Sequence, residues 1–109
     1  MTTATERVRA LNDQLRTSFI GGAVMITRGV EAIPFAKRKR ILEQVRSFDA
    51  FDADNDPHGE HDCAILEAEG ERILFKIDYY DRSVRVHSPD PTDPAVTTRI
   101  LTIMLASEY

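Results

Sequence analysis

The sequence predicts an α+β fold, a two-layer sandwich in which three helices pack on a sheet of about four largely antiparallel strands. Apolar residues recur at helical spacing near the start, the middle and the end of the chain, and short β-branched or alternating runs bounded by turn residues lie between them. The predicted order is α-β-α-β-β-β-α, with the helices chiefly on one face of the sheet. Because the chain has 109 residues, of which 42% are apolar, we expect one core and a single domain over residues 1–109.

The first helix is expected over roughly residues 4 to 19 and the first strand over residues 23 to 27. Thr3 and Glu6 have the spacing of a capping box, and glycines follow the last apolar position of the helix. The apolar face of this helix consists of Val8, Leu11, Leu15 and Phe19. The run after Gly22 is short and partly β-branched, which favours a buried strand over a helix.

A second helix is expected to begin near Pro34 and to end near Ala50. Proline suits the first turn of a helix, and apolar residues then recur at helical spacing up to Phe48. Residues 49 to 62 are too polar and too rich in turn-forming residues for a packed element. We therefore interpret them as a loop.

The rest of the chain is expected to form an antiparallel meander and a last helix. Strands over residues 63–69 and 72–80 flank Gly70, and a third strand covers residues 84–87. Asp93 and Pro94 are a suitable cap and first position for the last helix. 

The side chains of the meander can be assigned to faces if Gly70 lies at the centre of the first hairpin. Cys63 then lies opposite Ile77 on the core face, and Asp62 lies opposite Asp78 on the other face. Tyr79 is expected in the core and Tyr80 outside it. The predicted core places Ile65, Ile73, Phe75, Ile77, Val84 and Val86 under Val45, Phe48, Ile100 and Ile103.

The acidic loop at residues 52–62 and the second turn of the meander, at residues 80–82, are the expected functional surface. Five carboxylates in this one short segment repel one another more than turn formation requires, so we expect a ligand to use the charge. Tyr80, expected opposite Glu60, would add an exposed aromatic contact. The predicted partner-binding residues are Asp52, Asp54, Asp56, Glu60, Tyr80, Asp81 and Arg82.

A metal-dependent phosphodiesterase or nuclease is the alternative, and it would use Asp62, Lys76 and Asp78. In that case Mg²⁺ would be held by Glu60, His61, Asp62 and Asp78. Lys76 would stabilise a developing phosphate charge. Cross-strand ion pairs on a solvated sheet face explain the same residues without any cofactor.

A calcium loop is a further alternative for the acidic segment. Asp52, Asp54 and Asp56 alternate as ligands do in the first half of such a loop. Pro57 stands where that loop requires glycine, and Cys63 stands where the closing glutamate belongs. Asp and Asn side chains that cap turns account for the same pattern without an ion.

Composition excludes several classes of protein. The net charge of −4 and a pI near 5.3 argue against direct binding to nucleic acid or to an anionic membrane. The apolar stretches are far shorter than the ~20 residues that span a bilayer, and the start of the chain lacks the apolar run of a signal peptide. Cys63 is the only cysteine, so no internal disulfide can form. We therefore expect a cytoplasmic protein.

Four sequence motifs resemble those of a family of small proteins catalogued only as a domain of unknown function. The motifs are NDPHGEHD at residues 55–62, KIDYYD at 76–81, SPDP at 88–91 and TRILTIMLASEY at 98–109. The family usually has phenylalanine after the Glu-His-Asp motif, whereas this chain has Cys63. The resemblance covers nearly the whole chain and implies no known activity.

The resemblance also implies a setting, because this family is found mainly on proteobacterial plasmids, integrated elements and phages. Accessory genes of such elements often encode non-enzymatic proteins that inhibit host defence or regulate transfer. The leading hypothesis is therefore a small acidic protein that acts by binding a protein partner, such as a basic nucleic-acid-binding protein of the host. Its expected role is that of an anti-restriction or anti-CRISPR inhibitor, or of a regulator of transfer. No cofactor is required, and Mg²⁺ or Ca²⁺ belongs to the alternatives.

Overall fold

A computed structural model describes residues 2–109 and confirms the α+β class, with three helices and a four-stranded mixed sheet. The helices are α1 (Ala4–Ser18), α2 (Arg28–Glu31) and α3 (Phe35–Ser47). The strands are β1 (Ala23–Ile26), β2 (Cys63–Ala68), β3 (Glu71–Tyr80) and β4 (Thr98–Leu105), and a 3₁₀ turn (Ala106–Glu108) follows β4.

The sheet has the order β1-β4-β3-β2. The β1–β4 pair is parallel and the other two pairs are antiparallel. The helices pack on one face, which we call the covered face, and the core forms there. Its fully buried members include Leu15, Ile41, Val45, Ile73, Phe75, Leu101 and Ile103. None of the three helices described within residues 2–109 packs on the opposite face, which we call the open face.

Two boundaries near the middle of the chain differ from expectation. Helix α2 was not predicted; it is a single turn around Gly29, and its Val30 is fully buried. Helix α3 ends at Ser47 rather than near Ala50, because Phe48 is already extended, with φ −61° and ψ 131°. Among the helices described in residues 2–109, none is long and apolar enough to cross a membrane.

The predicted last helix is wrong, because residues 98–105 form strand β4. This strand lies between β1 and β3, so it is apolar on both faces, with Leu101 and Ile103 on the covered face and Met104 buried on the open face. A strand of this kind shows an apolar run without alternation, which also matches helical spacing. The β-branched residues and the short length were the signals that favoured a strand.

The predicted strand at residues 84–87 is also wrong. Only an isolated bridge between Tyr80 and His87 forms there, and Val84 and Val86 are exposed instead of buried. One side of β3 is taken by β4 and the other by β2, so the fourth strand of the sheet comes from the more apolar residues 98–105.

The register of the first hairpin is shifted by one residue from the expected one. Cys63 lies opposite Lys76 rather than Ile77, and Ala68 lies opposite Glu71. The turn consists of Glu69 and Gly70, both with positive φ (54° and 79°), as a two-residue hairpin turn requires. The shift reverses the faces of β2, since side chains alternate along a strand. 

The consequence of the shift is that Ile65 and Cys63 lie on the open face, and Ala64 and Ala68 take the core positions. The faces of β3 are as expected, with Ile73, Phe75 and Ile77 buried under the helices. Ile100 is also misplaced in the predicted core, since it pairs with Asp78 on the open face.

Replacing Phe75 by Ala should lower the free energy of unfolding by ~3–5 kcal/mol, the range for truncating a buried aromatic side chain. Phe75 is fully buried, and its ring centroid lies 5.6 Å from that of Phe48 and 6.2 Å from that of Phe51. Ile65→Ala is the control, because Ile65 is 48% exposed and should lose less than about 1 kcal/mol. Equal losses in denaturant unfolding would show that the assignment of faces in β2 is wrong.

Candidate functional site: the acidic loop and the open face of the sheet

The acidic loop, residues 52–62, consists of turns that are capped by its own side chains. Asp52 accepts hydrogen bonds through Oδ1 from the amides of Asp54 and Asn55, both at 2.9 Å. Asn55 in turn donates from Nδ2 to the carbonyl of Ala50 at 2.9 Å and accepts from the amide of Asp52 at 2.8 Å. Asx capping of this kind gives these two side chains a local structural use.

Asp56 and His61 close the loop. Asp56 is buried, and its Oδ1 accepts from the backbone amide of His61 at 3.1 Å. His61 has a positive φ of 54°, and its ring stacks on Phe51 at 4.0 Å with an interplanar angle of 5°. The ring is held at both nitrogens, with Nδ1 2.9 Å from Oδ1 of Asp13 and Nε2 3.7 Å from Oδ2 of Asp56.

This geometry gives His61 a positioning role in the loop. Both ring nitrogens already face carboxylates, so neither is directed at a metal ion or a reacting hydroxyl. The two hydroxyls that share the neighbouring cavity of about 330 Å³, those of Thr17 and Ser47, donate to helix carbonyls at 2.6 and 3.1 Å. The Asp13–His61 pair therefore lacks the hydrogen-bonded nucleophile that a hydrolytic site needs.

A buried polar network connects the loop to the sheet. The Tyr79 hydroxyl donates to Oε1 of Glu60 at 2.7 Å, and Asn12 donates from Nδ2 to that hydroxyl at 2.7 Å and to the Glu60 carbonyl at 3.0 Å. Arg99 donates from Nε to Oδ1 of Asn12 at 2.8 Å and from a terminal nitrogen to the Pro91 carbonyl at 2.5 Å. Helix α1, the acidic loop, β3, β4 and the segment before β4 all meet in this network.

The network lies deep enough to change the titration of its members. Burial raises the pKa of the Tyr79 hydroxyl well above its usual value, so Tyr79 is a neutral donor to Glu60. Burial also lowers the pKa of Arg99, whose side chain is only 2% exposed and whose guanidinium lies 5.0 Å from the Tyr79 ring centroid. Groups held so completely by protein partners serve to join elements.

Arg16 plays a similar part at the end of α3. It is 3% exposed and donates to the carbonyls of Val45, Arg46 and Phe48 at 3.1, 3.2 and 2.6 Å. The Val45 carbonyl also accepts from the amide of Phe48 at 3.4 Å. A buried cation at the end of α3 suits the negative end of the helix dipole. Arg16 therefore fixes α1 against α3.

Three buried polar residues were not predicted from the sequence: Asn12, Arg16 and Arg99. The signal was present for the first two, since both share the inner stripe of α1 with the buried residues Val8 and Leu15. A polar residue on an apolar helix stripe indicates a buried hydrogen bond. Arg99 gave no such signal, because the segment around it was interpreted as a helix.

The predicted partner-binding residues are divided between three places. Asp52 and Asp54 are exposed in the loop, whereas Asp56 and Glu60 turn inward to His61 and Tyr79. The internal bonds of Asp52, Asp56 and Glu60 weaken the argument that only an external ligand can use these charges. The last three residues, Tyr80, Asp81 and Arg82, lie at the end of β3.

The turn after β3 is also capped by its own aspartate. Asp81 accepts from the amide of Arg85 at 2.9 Å, and this bond lowers the pKa of the Asp81 carboxyl. Tyr80 points to the open face, on which the Lys76–Asp78 ion pair also lies. Arg82 is exposed.

The four residues of the alternative metal site point in different directions. Glu60 accepts from the Tyr79 hydroxyl and His61 contacts Asp13 of α1, whereas Asp78 lies on the open face and is paired with Lys76. The bond from Lys76 to Asp78 raises the pKa of the lysine. Across residues 2–109, no three His, Cys, Asp or Glu side chains come together in a way that would hold a metal ion.

The open face carries the exposed apolar surface of the sheet. Met25 on β1 and Ile65 on β2 are 55% and 48% exposed. A groove of about 410 Å³ runs beside Ile65, lined by Asn55, Cys63, Ala64, Ile65, Leu74, Ala106 and Tyr109. Leu74 forms its floor, since it is almost fully buried, and Tyr109 is 85% exposed beside it.

Cys63 lines this groove instead of pointing into the core as expected. Burial, and then the neighbouring charge of Asp62, raises the pKa of the thiol. The thiol is therefore protonated at neutral pH, which opposes a role as a nucleophile or a metal ligand.

Asp62→Asn should raise the free energy of unfolding at pH 7. Burial raises the pKa of the Asp62 carboxyl above its usual value of 3.8. A backbone hydrogen bond opposes this shift, and the nearby charges of Glu60 and Asp56 add to it. A carboxyl whose pKa is higher in the folded state than in the unfolded state stabilises the fold when it is protonated, at a pH below its unfolded-state pKa. That stabilisation is lost as the pH rises through the folded-state pKa, so the ionised carboxylate disfavours folding at pH 7. The advantage of the variant should therefore disappear as the pH falls toward about 4. 

The measurement is thermal unfolding across this pH range, with the exposed Asp54→Asn as the control for loss of one charge. A variant less stable than wild type at pH 7 would contradict the assigned burial of Asp62.

Comparisons with known proteins give a family without an assigned activity. No curated protein and no solved structure matches the chain. A family model described as "Protein of unknown function (DUF3768)" matches residues 26–108, which is more than half of the chain. The matched region includes the acidic loop, α3 and the last three strands, and the protein therefore belongs to this family of unknown function.

Proposed function

We propose that the protein is a small accessory protein of a mobile genetic element that acts in the cytoplasm by binding a protein partner. The observation that carries this proposal is the open face of the sheet. One face is covered by helices, whereas the other exposes Met25 on the β1 edge and Ile65 on the β2 edge, and a groove across Leu74 adjoins Ile65. Exposed apolar surface bordered by charged residues is typical of a protein-binding site.

The proposed partner is a basic nucleic-acid-binding protein of the host, such as a component of a restriction or CRISPR system, or a protein that controls transfer of the element. The net charge of −4 supports a basic partner, because an acidic protein attracts the surface that such a partner offers to nucleic acid. The resemblance to proteins of plasmids, integrated elements and phages supports the setting. The activity proposed is inhibition or regulation by binding, without catalysis.

The test replaces apolar residues of the open face by lysine. Ile65→Lys and Met25→Lys should each weaken capture of the partner by about tenfold or more, because a desolvated charge in an interface costs more than the ~1.4 kcal/mol that tenfold represents. Phe35→Lys is the matched control, since Phe35 is 71% exposed on α3 in the helix layer.

The readouts are quantitative capture by tagged protein in cells that carry the element and the efficiency with which the element is established in a host with active defence. Wild type and Phe35→Lys should behave alike, and the two open-face variants should lose both activities. The proposal would be contradicted if the open-face variants captured the partner and supported establishment of the element as well as wild type does.

A further inference from the structure

We infer that the outer edge of strand β2 is the docking site, and that an extended segment of the protein partner, apolar in its middle and basic at both ends, adds there as a fifth strand. This inference rests on the proposed function, because it names the binding mode and the chemistry of that partner. Strand addition of this kind obtains affinity from main-chain hydrogen bonds and specificity from alternate side chains.

Strand β2 is an edge strand with free backbone groups. It ends the sheet order, and the amide of Ile77 donates to the carbonyl of Asp62 at 2.7 Å. Because backbone groups alternate along a strand, the groups of Cys63, Ile65 and Glu67 point away from β3. In residues 2–109, none of the hydrogen bonds outside the strand ladders uses these outward groups.

A groove lies beside that edge. Ile65 projects from the middle of β2 on the open face, and the groove continues from it across Leu74 to Tyr109. An added strand places every second side chain on this face. An apolar side chain near the middle of the segment would cover Ile65 and occupy part of the 410 Å³ beside it.

Acidic side chains lie at both ends of the edge. Asp62 lies just before β2 and Glu67 lies near its end, and the turn that contains Asp52 and Asp54 borders the groove through Asn55. The ion pairs found within residues 2–109 include none with Asp52, Asp54 or Asp62. Glu67 has only a long contact of 3.9 Å with the exposed Arg72.

This arrangement favours a basic segment over a second copy of the chain. Antiparallel pairing of two β2 edges about Ile65 would bring the Asp62 end of one copy toward the Glu67 end of the other. Acids would then face acids, which is a common protection of edge strands against self-association. Lysine or arginine residues at the ends of a partner segment would instead meet these carboxylates. The cost of keeping Asp62 half-buried, seen in its raised pKa, is consistent with an acid retained for binding.

The test uses the peptide acetyl-Lys-Lys-Val-Thr-Val-Lys-Lys-amide with a fluorescent label, and measures its affinity for the full chain at low ionic strength. Two N-methylated versions of the peptide are compared. One carries methyl groups on the amides of both valines, and the other carries them on the amide of the threonine and on that of the lysine directly after the second valine. Only one of these sets points toward β2 in a given strand direction, because amides alternate. One version should therefore bind about tenfold or more weakly than the parent, and the other should stay within about threefold.

On the protein side, Ile65→Pro removes an outward amide that β3 does not use, and Ile65→Thr keeps that amide on a β-branched side chain. The proline variant should lose about tenfold in peptide affinity beyond the loss seen with threonine. The methylated peptides keep the test valid if the proline variant fails to fold, since they leave the protein unchanged.

Several results would overturn the inference. They are a parent peptide that does not bind, methylated peptides that both bind like the parent, and a wild-type dimer in sedimentation that Ile65→Pro converts to a monomer. None of these removes the proposed function by itself, because partner capture that Ile65→Lys and Met25→Lys abolish would still show binding by the open face.

Discussion

Burial of Arg99 is the constraint on which much of this structure depends. A guanidinium that is 2% exposed near the start of the central strand β4 needs acceptors, since an unpaired buried charge costs several kcal/mol. Asn12 supplies one from the middle of α1 and the Pro91 carbonyl supplies another from the segment before β4. The Tyr79 ring covers the cation, and its hydroxyl carries the network on to Glu60. 

This network gives the acidic loop a structural explanation. Glu60 attaches the loop to α1 and β3, His61 adds a contact with Asp13 of α1, and Asp56 holds His61 from within the loop. The chain then leaves this attachment at Asp62, whose carbonyl already accepts from the amide of Ile77. Strand β2 therefore starts at a fixed register and runs along the outside of the sheet. The buried polar residues of the loop hold the fold together, and the proposed partner surface is the open face of the sheet and its β2 edge.

The sequence predicted the helix α1, strands β1 to β3 and the loop, because their spacing and turn residues are local signals. It failed where neighbours decide the outcome. Residues 98–105 are apolar on both faces because they lie between two strands, and this obscures the alternation of a strand. The register of the first hairpin was predicted one residue away from the observed one, because the turn consists of both Glu69 and Gly70 and is not centred on Gly70. This shift wrongly assigned Ile65 to the core. Asn12 and Arg99 could not be paired by any local pattern, since they are far apart in the chain.

The central claim, that β2 presents an unpaired edge in this register, can be tested most directly by amide hydrogen exchange of the free protein, resolved by residue. The structure predicts alternating protection along the strand, with slow exchange at Ala64 and Leu66, whose amides face β3, and exchange faster by roughly an order of magnitude or more at Cys63, Ile65 and Glu67. Reversed alternation would restore Cys63 to a position opposite Ile77 and contradict the register. Slow exchange at all five amides would show that the edge is already covered.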